Sequence, residues 1–77
     1  MDLVLIPAYE PDESLIELCK QLSDEGFKVL VVDDGSGEKY ADIFSSASQN
    51  AQVIAHKVNR GKGAALKTGM RYIRDNI

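Results

Sequence analysis

Disulfides, long hydrophobic runs and tryptophan are all missing from this sequence. A single cysteine, Cys19, excludes a fold held together by disulfides. It falls at helical spacing among Leu15, Ile16, Leu18 and Leu22, which indicates a small core residue in a reducing compartment. The alternatives, a nucleophile or a metal ligand, lack supporting neighbours. A 77-residue chain without disulfides is marginally stable, so we expect it to depend on contacts with additional protein.

The apolar runs, residues 3–6 and 29–32, are far shorter than the roughly 20 residues that cross a bilayer. No basic segment and longer apolar stretch follow Met1, so we expect no secretory signal and a cytoplasmic location. The net charge is −3, and the densest basic stretch, residues 57–67, contains no aromatic residue. This combination argues against nucleic acid as a partner.

What the sequence does contain is a pattern that occurs three times: an aliphatic run, a polar or glycine-rich turn, and apolar residues about every 3.6 positions. It predicts strands at residues 3–6, 28–32 and 52–56. It predicts helices at residues 12–25, ended by Gly26, then after an N-cap at Ser36, and from about Gly61 to the chain end. The apolar side chains predicted to pack in the last two helices are Tyr40, Ile43, Phe44, Ala47, Leu66, Met70, Ile73 and Ile77.

This alternation predicts half of a doubly wound α/β fold, a three-layer Rossmann-like unit with a parallel sheet of about three strands. The second strand is almost wholly aliphatic, so it should lie at the centre. Ligands of such sheets bind beyond the carboxyl ends of the strands. The turns at residues 7–10, 33–36 and 59–63 are therefore expected to meet at one edge.

The second turn contains Asp33 and Asp34, followed by Gly35 and Ser36. One carboxylate could accept hydrogen bonds from a base or ribose while the other caps the backbone. A turn with a helix cap explains the same residues equally well. A magnesium site is a further alternative, although adjacent residues of an extended chain point apart.

The third turn brings Arg60 and Lys62 to the start of a helix, where the dipole disfavours positive charge. An anionic ligand would favour these cations, and Gly61 and Gly63 would let the backbone approach it. The alternative is that the cations are solvated and the small residues only allow close packing. The spacing of a P-loop is missing. His56, near the end of the third strand, is interpreted as a surface residue.

Three segments in series, VLIPAYEP at residues 4–11, VVDDGS at 31–36 and NRGKGAALKTGM at 59–70, resemble family 2 glycosyltransferases of the GT-A fold. The resemblance is to the group of polyprenyl-phosphate and dolichyl-phosphate sugar transferases. It implies that Asp34 contacts the uracil edge, that Asp33 supports the turn, and that Glu10 or Glu13 lies toward the ribose. The implied nucleotide-binding residues are Pro7, Ala8, Tyr9, Glu10, Asp33, Asp34, Gly61, Lys62 and Gly63.

The resemblance also implies a reaction: sugar transfer from a UDP- or GDP-linked donor to an acceptor such as polyprenyl phosphate or a cell-surface glycan. Relatives hold Mg²⁺ or Mn²⁺ with an Asp-x-Asp motif that follows the next strand. Residues 1–77 are therefore expected to be the N-terminal nucleotide-sugar-binding part of a GT-A domain, without catalytic or metal-binding residues, inactive alone. The whole protein would work in the cytoplasm or at the inner face of the membrane.

Other interpretations compete with this one. An acidic pair after a strand also opens receiver-like signalling modules, but there it follows the first strand. Sugar nucleotidyltransferases need a glycine-rich basic loop after strand one, which residues 7–10 do not supply. An inert structural fragment is the remaining alternative. We also expect self-association through the apolar edge of strand one.

Overall fold

The computed structural model describes residues 2–77, in which strands and helices alternate as the sequence predicts. The strands are β1 (Leu3–Ala8), β2 (Lys28–Asp34) and β3 (Gln52–His56). The helices are α1 (Ser14–Asp24), α2 (Ala41–Ala47), which follows a 3₁₀ turn at Glu38–Tyr40, and α3 (Lys62–Asn76).

The sheet has the order β1-β2-β3 and both pairings are parallel, so the prediction of a central second strand is confirmed. β1 and β2 are each two residues longer than predicted. Their ladder continues through Pro7 opposite Val32 and Ala8 opposite Asp33, which an edge strand allows because its proline needs no donor on the free side. Pro7 and Ala8, predicted as part of the first turn, therefore belong to β1.

Side chains alternate along β2 and divide it between two helical layers. Val29 and Val31 pack with the core beneath α1 and α2, where Cys19 is fully buried, as predicted. Leu30 and Val32, equally inaccessible, point to the opposite face. α3 covers that face by packing on β1 and β2. The three-layer α/β prediction is confirmed.

The predicted apolar seam of α3 is wrong in detail. Met70 and Ile77 are exposed, by 62% and 52%, and the buried residues of the helix are Ala65 and Gly69. A Cβ atom on Gly69 would lie 2.4 Å from Cδ1 of Leu5 in β1. The helix therefore lies so near the sheet that only small residues fit between them.

Two helix starts also differ from prediction. α1 begins at Ser14, whose backbone N–H donates to Asp12 Oδ1 at 2.9 Å, two residues after the predicted start. Ser36 does not cap α2, because Tyr40 takes the N-cap position and makes no side-chain cap bond. Instead the Ser36 hydroxyl accepts from the backbone N–H of Glu10 at 2.9 Å. Gly26, with φ +90°, ends α1 as predicted.

Charge is distributed unevenly along the chain. Eleven of the twelve acidic residues lie within residues 2–42, which include α1 and the first two residues of α2. Six of the nine cations lie within residues 57–74, in and just before α3. Within residues 2–77, no helix has both the length and the apolar character that crossing a bilayer requires.

Candidate functional site

A pocket of about 500 Å³ lies at the carboxyl ends of the strands, where the three strand-to-helix connections meet. Its walls combine the end of β1 with Tyr9, the end of β2, and the connection from β3 into α3. The lining residues are Pro7, Ala8, Tyr9, Asp34, Asn59, Gly61 and Lys62. The predicted convergence of the three turns at one edge is therefore observed.

Asp34 lies between two of these connections and is only 3% exposed. Its Oδ1 accepts from the backbone N–H of Arg60 and its Oδ2 from that of Gly61, both at 2.9 Å. Asn59 Nδ2 donates to Asp34 Oδ2 and to the Asp34 carbonyl, both at 3.2 Å. This carboxylate therefore fixes the path of the chain that leads into α3.

The fourth donor to the carboxylate comes from His56. β2 and β3 pair with Asp34 opposite His56, so both side chains project toward α3. Nδ1 of His56 is 2.8 Å from Asp34 Oδ1, and Nε2 is 2.7 Å from Thr68 Oγ1 in α3. The imidazole side chain is only 6% exposed, so the prediction of a surface histidine is wrong. Register explains the error, because strand position alone does not reveal a partner on the neighbouring strand.

These hydrogen bonds lower the pKa of Asp34. The bond from His56 contributes most, followed by the backbone N–H of Arg60, and the N–H of Gly61 adds to them, while burial acts in the opposite direction. Every one of these donors stabilises the ionised form. The site therefore carries a carboxylate at neutral pH.

Gly35 follows Asp34 and brings the second connection against the third. Its φ is +74°, and a Cβ atom there would lie 2.2 Å from both Asn59 N and the Val58 carbonyl carbon. No side chain fits this contact without backbone movement. The connections after β2 and β3 therefore touch through their main chains.

The first connection is joined to the second by hydrogen bonds. Glu10 has φ +48°, an uncommon value for a residue with a side chain, and its N–H donates to Ser36 Oγ. The N–H of Ser36 donates to Asp33 Oδ1 at 2.9 Å, so Asp33 supports the turn as predicted. Tyr9 is 51% exposed beside the pocket, and the negative charge of Glu10 raises the pKa of its phenol.

The structure brings six of the nine predicted nucleotide-binding residues into the lining of one pocket: Pro7, Ala8, Tyr9, Asp34, Gly61 and Lys62. Glu10, Asp33 and Gly63 lie outside that lining. Gly63 lines an adjacent depression with Arg60 and Lys67. A contact between any of the nine residues and a nucleotide stays a prediction. The pocket residue that the sequence reasoning did not single out is Asn59.

The acidic pair does not fit a divalent cation. Asp33 Oδ1 and both oxygens of Asp34 already accept N–H groups, which a metal ligand would have to give up. Within residues 2–77, no three His, Cys, Asp or Glu side chains form a group that could hold a metal ion.

Comparisons with known proteins agree on one family. The profile of glycosyl transferase family 2 matches residues 3–77. An uncharacterized protein of Methanocaldococcus jannaschii is 39% identical over 88% of this chain and 28% of its own length. The undecaprenyl-phosphate 4-deoxy-4-formamido-L-arabinose transferases of Pseudomonas fluorescens and Salmonella choleraesuis are each 34% identical over 96% of this chain.

The chain spans about a quarter of these transferases, 25% and 26% of their respective lengths. No solved structure gives a significant match.

Proposed function

The chain belongs to glycosyl transferase family 2, and from that premise we propose that its pocket binds the nucleotide of a nucleotide-diphosphate sugar, linked to UDP or GDP. One observation carries the proposal: Tyr9, which follows β1, Asp34, which ends β2, and Lys62, which begins α3, line the same pocket. A volume of about 500 Å³ suits a ligand of this size. The family replaces the receiver-like module and the nucleotidyltransferase as the working interpretation.

Each lining group has a chemical use in this proposal. The half-exposed ring of Tyr9 offers a face on which a base can stack. Asn59 and Lys62 supply an amide and a positive charge beside the base edge, and Asp34 would accept from the base in place of one of its present N–H donors. The N-terminus of α3, which is the positive end of the helix dipole, lies at Gly61 in the same pocket wall and favours an anionic group.

For the whole protein we propose transfer of the sugar to an acceptor such as polyprenyl phosphate or a cell-surface glycan. The arabinose transferases among the relatives have names that specify undecaprenyl phosphate, which motivates the first acceptor. The proposal includes a GT-A fold, a cytoplasmic location at the inner face of the membrane, and no activity for residues 1–77 alone. Mg²⁺ or Mn²⁺ would be held by residues outside this chain, because the acidic pair described above does not fit it.

Isothermal titration of the intact protein with UDP and GDP tests the pocket. Tyr9→Ala should weaken binding about tenfold or more, since stacking of a base on an aromatic ring is worth about 1–3 kcal/mol. Lys62→Ala should also weaken it, whereas Lys20→Ala should not. Lys20 is the matched control because it is exposed on α1 and pairs with Asp24 at 3.2 Å, away from the pocket.

Loss of binding in both lysine variants would point to a general charge effect, and the pocket would lose its support. Failure of the wild-type protein to bind either nucleotide would reject the proposal. Asp34→Asn provides the third measurement, because binding that survives this change unaltered would contradict a base site at Asp34.

A further inference from the structure

His56 is a buried polar side chain that the proposed pocket does not use directly. It is absent from the pocket lining, yet both its ring nitrogens make short hydrogen bonds inside the protein. One joins it to Asp34 in the neighbouring strand and the other to Thr68 in α3. The ring therefore connects a pocket residue to the helix that covers the sheet.

The chemistry of the partners assigns the protons. An ionised carboxylate only accepts, so Nδ1 of His56 must carry a proton and donate it to Asp34 Oδ1. In the neutral ring Nε2 is then an acceptor, and the Thr68 hydroxyl donates to it. For the neutral ring, this chain of bonds specifies one tautomer and one ring orientation.

The bond from His56 also limits the rotation of the carboxylate. Oδ1 is shared between His56 and the Arg60 N–H, while Oδ2 accepts from Gly61. Because His56 in β3 holds Oδ1, the carboxylate plane stays turned toward the backbone N–H groups of Arg60 and Gly61, the two residues before Lys62. Without His56, the carboxylate could turn and these two bonds would weaken.

We infer that His56 is a positioning residue for the pocket: through Asp34 it holds the connection between β3 and α3 in the conformation that presents Asn59, Gly61 and Lys62 to the ligand. The ligand part of this inference rests on the proposed nucleotide site. The positioning part concerns only the protein and is measurable without any ligand.

Three variants of the intact protein, with one control, distinguish a positioning role of His56 from simple filling of space. His56→Phe keeps the ring volume and removes both hydrogen bonds. His56→Asn retains a side-chain N–H near the position of Nδ1 and loses the bond to Thr68. Thr68→Val removes only the outer bond, and Thr68→Ser is its matched control because it keeps the hydroxyl.

The first readout is the amide resonances of Arg60 and Gly61 in a ¹H–¹⁵N spectrum, because bonding to a carboxylate moves them downfield. His56→Phe should shift both upfield, and His56→Asn should restore them. The second readout is the dissociation constant for UDP. It should rise about tenfold in His56→Phe, the size expected for loss of a charge-assisted bond, and return to within about threefold of wild type in His56→Asn.

Unchanged Arg60 and Gly61 resonances in His56→Phe would overturn the inference, and so would failure of His56→Asn to restore them, because the ring would then act only by filling space. If His56→Phe does not fold, Thr68→Val decides: a smaller shift of the same two resonances, absent in Thr68→Ser, supports positioning, and no shift rejects it. If the wild-type protein binds neither UDP nor GDP, the proposed function fails while the resonances still decide the role of His56.

Discussion

Gly35 and Asn59 touch through their backbones, with only 2.2 Å between the position a Cβ atom would take on Gly35 and the nitrogen of Asn59. They belong to different connections, one after β2 and one after β3. Since Asn59 also donates to Asp34, this single contact adjoins the most polar part of the candidate pocket. It permits a sharp test of how the pocket is built.

Gly35→Ala should destabilise the fold by about 3 kcal/mol or more, because it adds a backbone collision to the roughly 1–2 kcal/mol that a left-handed residue costs. Gly37→Ala is the matched control: its φ is +92°, but nothing lies within 4 Å of its Cβ position. Gly37→Ala should therefore lose only the roughly 1–2 kcal/mol that a left-handed residue costs. Urea unfolding of both variants checks this, and equal losses would show that the connections are not in contact.

Gly69→Ala should destabilise the protein relative to Gly63→Ala by about 1–3 kcal/mol, the usual effect of overpacking. Both glycines lie in α3 and would gain helix propensity as alanine. Only Gly69 faces Leu5, whereas the space around Gly63 is open. Thermal unfolding gives the comparison, and Leu5→Ala in the Gly69→Ala background should recover part of the loss. Equal stability of the two alanine variants would contradict the close packing of α3.

Acid should remove the stabilisation that ionised Asp34 provides. Its pKa is lower in the fold than in the unfolded chain, where a carboxyl group titrates near about 3.9. The contribution is therefore complete above that unfolded value and disappears as the pH falls through the lower folded value. The stability difference between wild type and Asp34→Asn should be large at pH 7 and shrink below about pH 4.

Urea titrations at several pH values measure that difference. Asp24→Asn is the control, since Asp24 is exposed and makes only a surface ion pair with Lys20. If the difference in unfolding free energy between wild type and Asp34→Asn stayed constant down to pH 2, the hydrogen bonds that Asp34 accepts would not depend on its ionisation.

Self-association through β1 is the fourth prediction. β1 is an edge strand of the described sheet and all of its residues are half-buried, so its backbone can pair with another chain. Light scattering of residues 1–77 should show mass increasing with concentration, and Val4→Lys should reduce it by placing a charge on that edge. A monomer at every concentration would refute the prediction.

The sequence was sufficient to predict the order of strands and helices, because aliphatic runs and helical spacing are local signals. It also predicted that Tyr9, Asp34 and Lys62 would lie at one edge, since parallel strands end on the same side. It did not predict the partner of His56, which depends on the register that places Asp34 opposite it. Register is a property of the assembled sheet.

Two further errors have the same origin. Ser36 has the residue type of a helix cap, but its hydroxyl bonds to Glu10, 26 residues earlier in the chain. Met70 has the spacing of a core residue in α3, but the close approach of Gly69 to Leu5 places the small residues against the sheet. In each case a contact between distant segments overrides the local preference.

The uneven distribution of acids and cations along the chain makes α3 and the connection before it the most basic part of the molecule. This basic segment reaches the pocket wall, because Lys62 is the first residue of α3. A polyanion diffusing nearby is therefore attracted to α3 more strongly than to the acidic first half of the chain. This steering weakens as added salt shortens the screening length, which is about 10 Å at 0.1 M ionic strength.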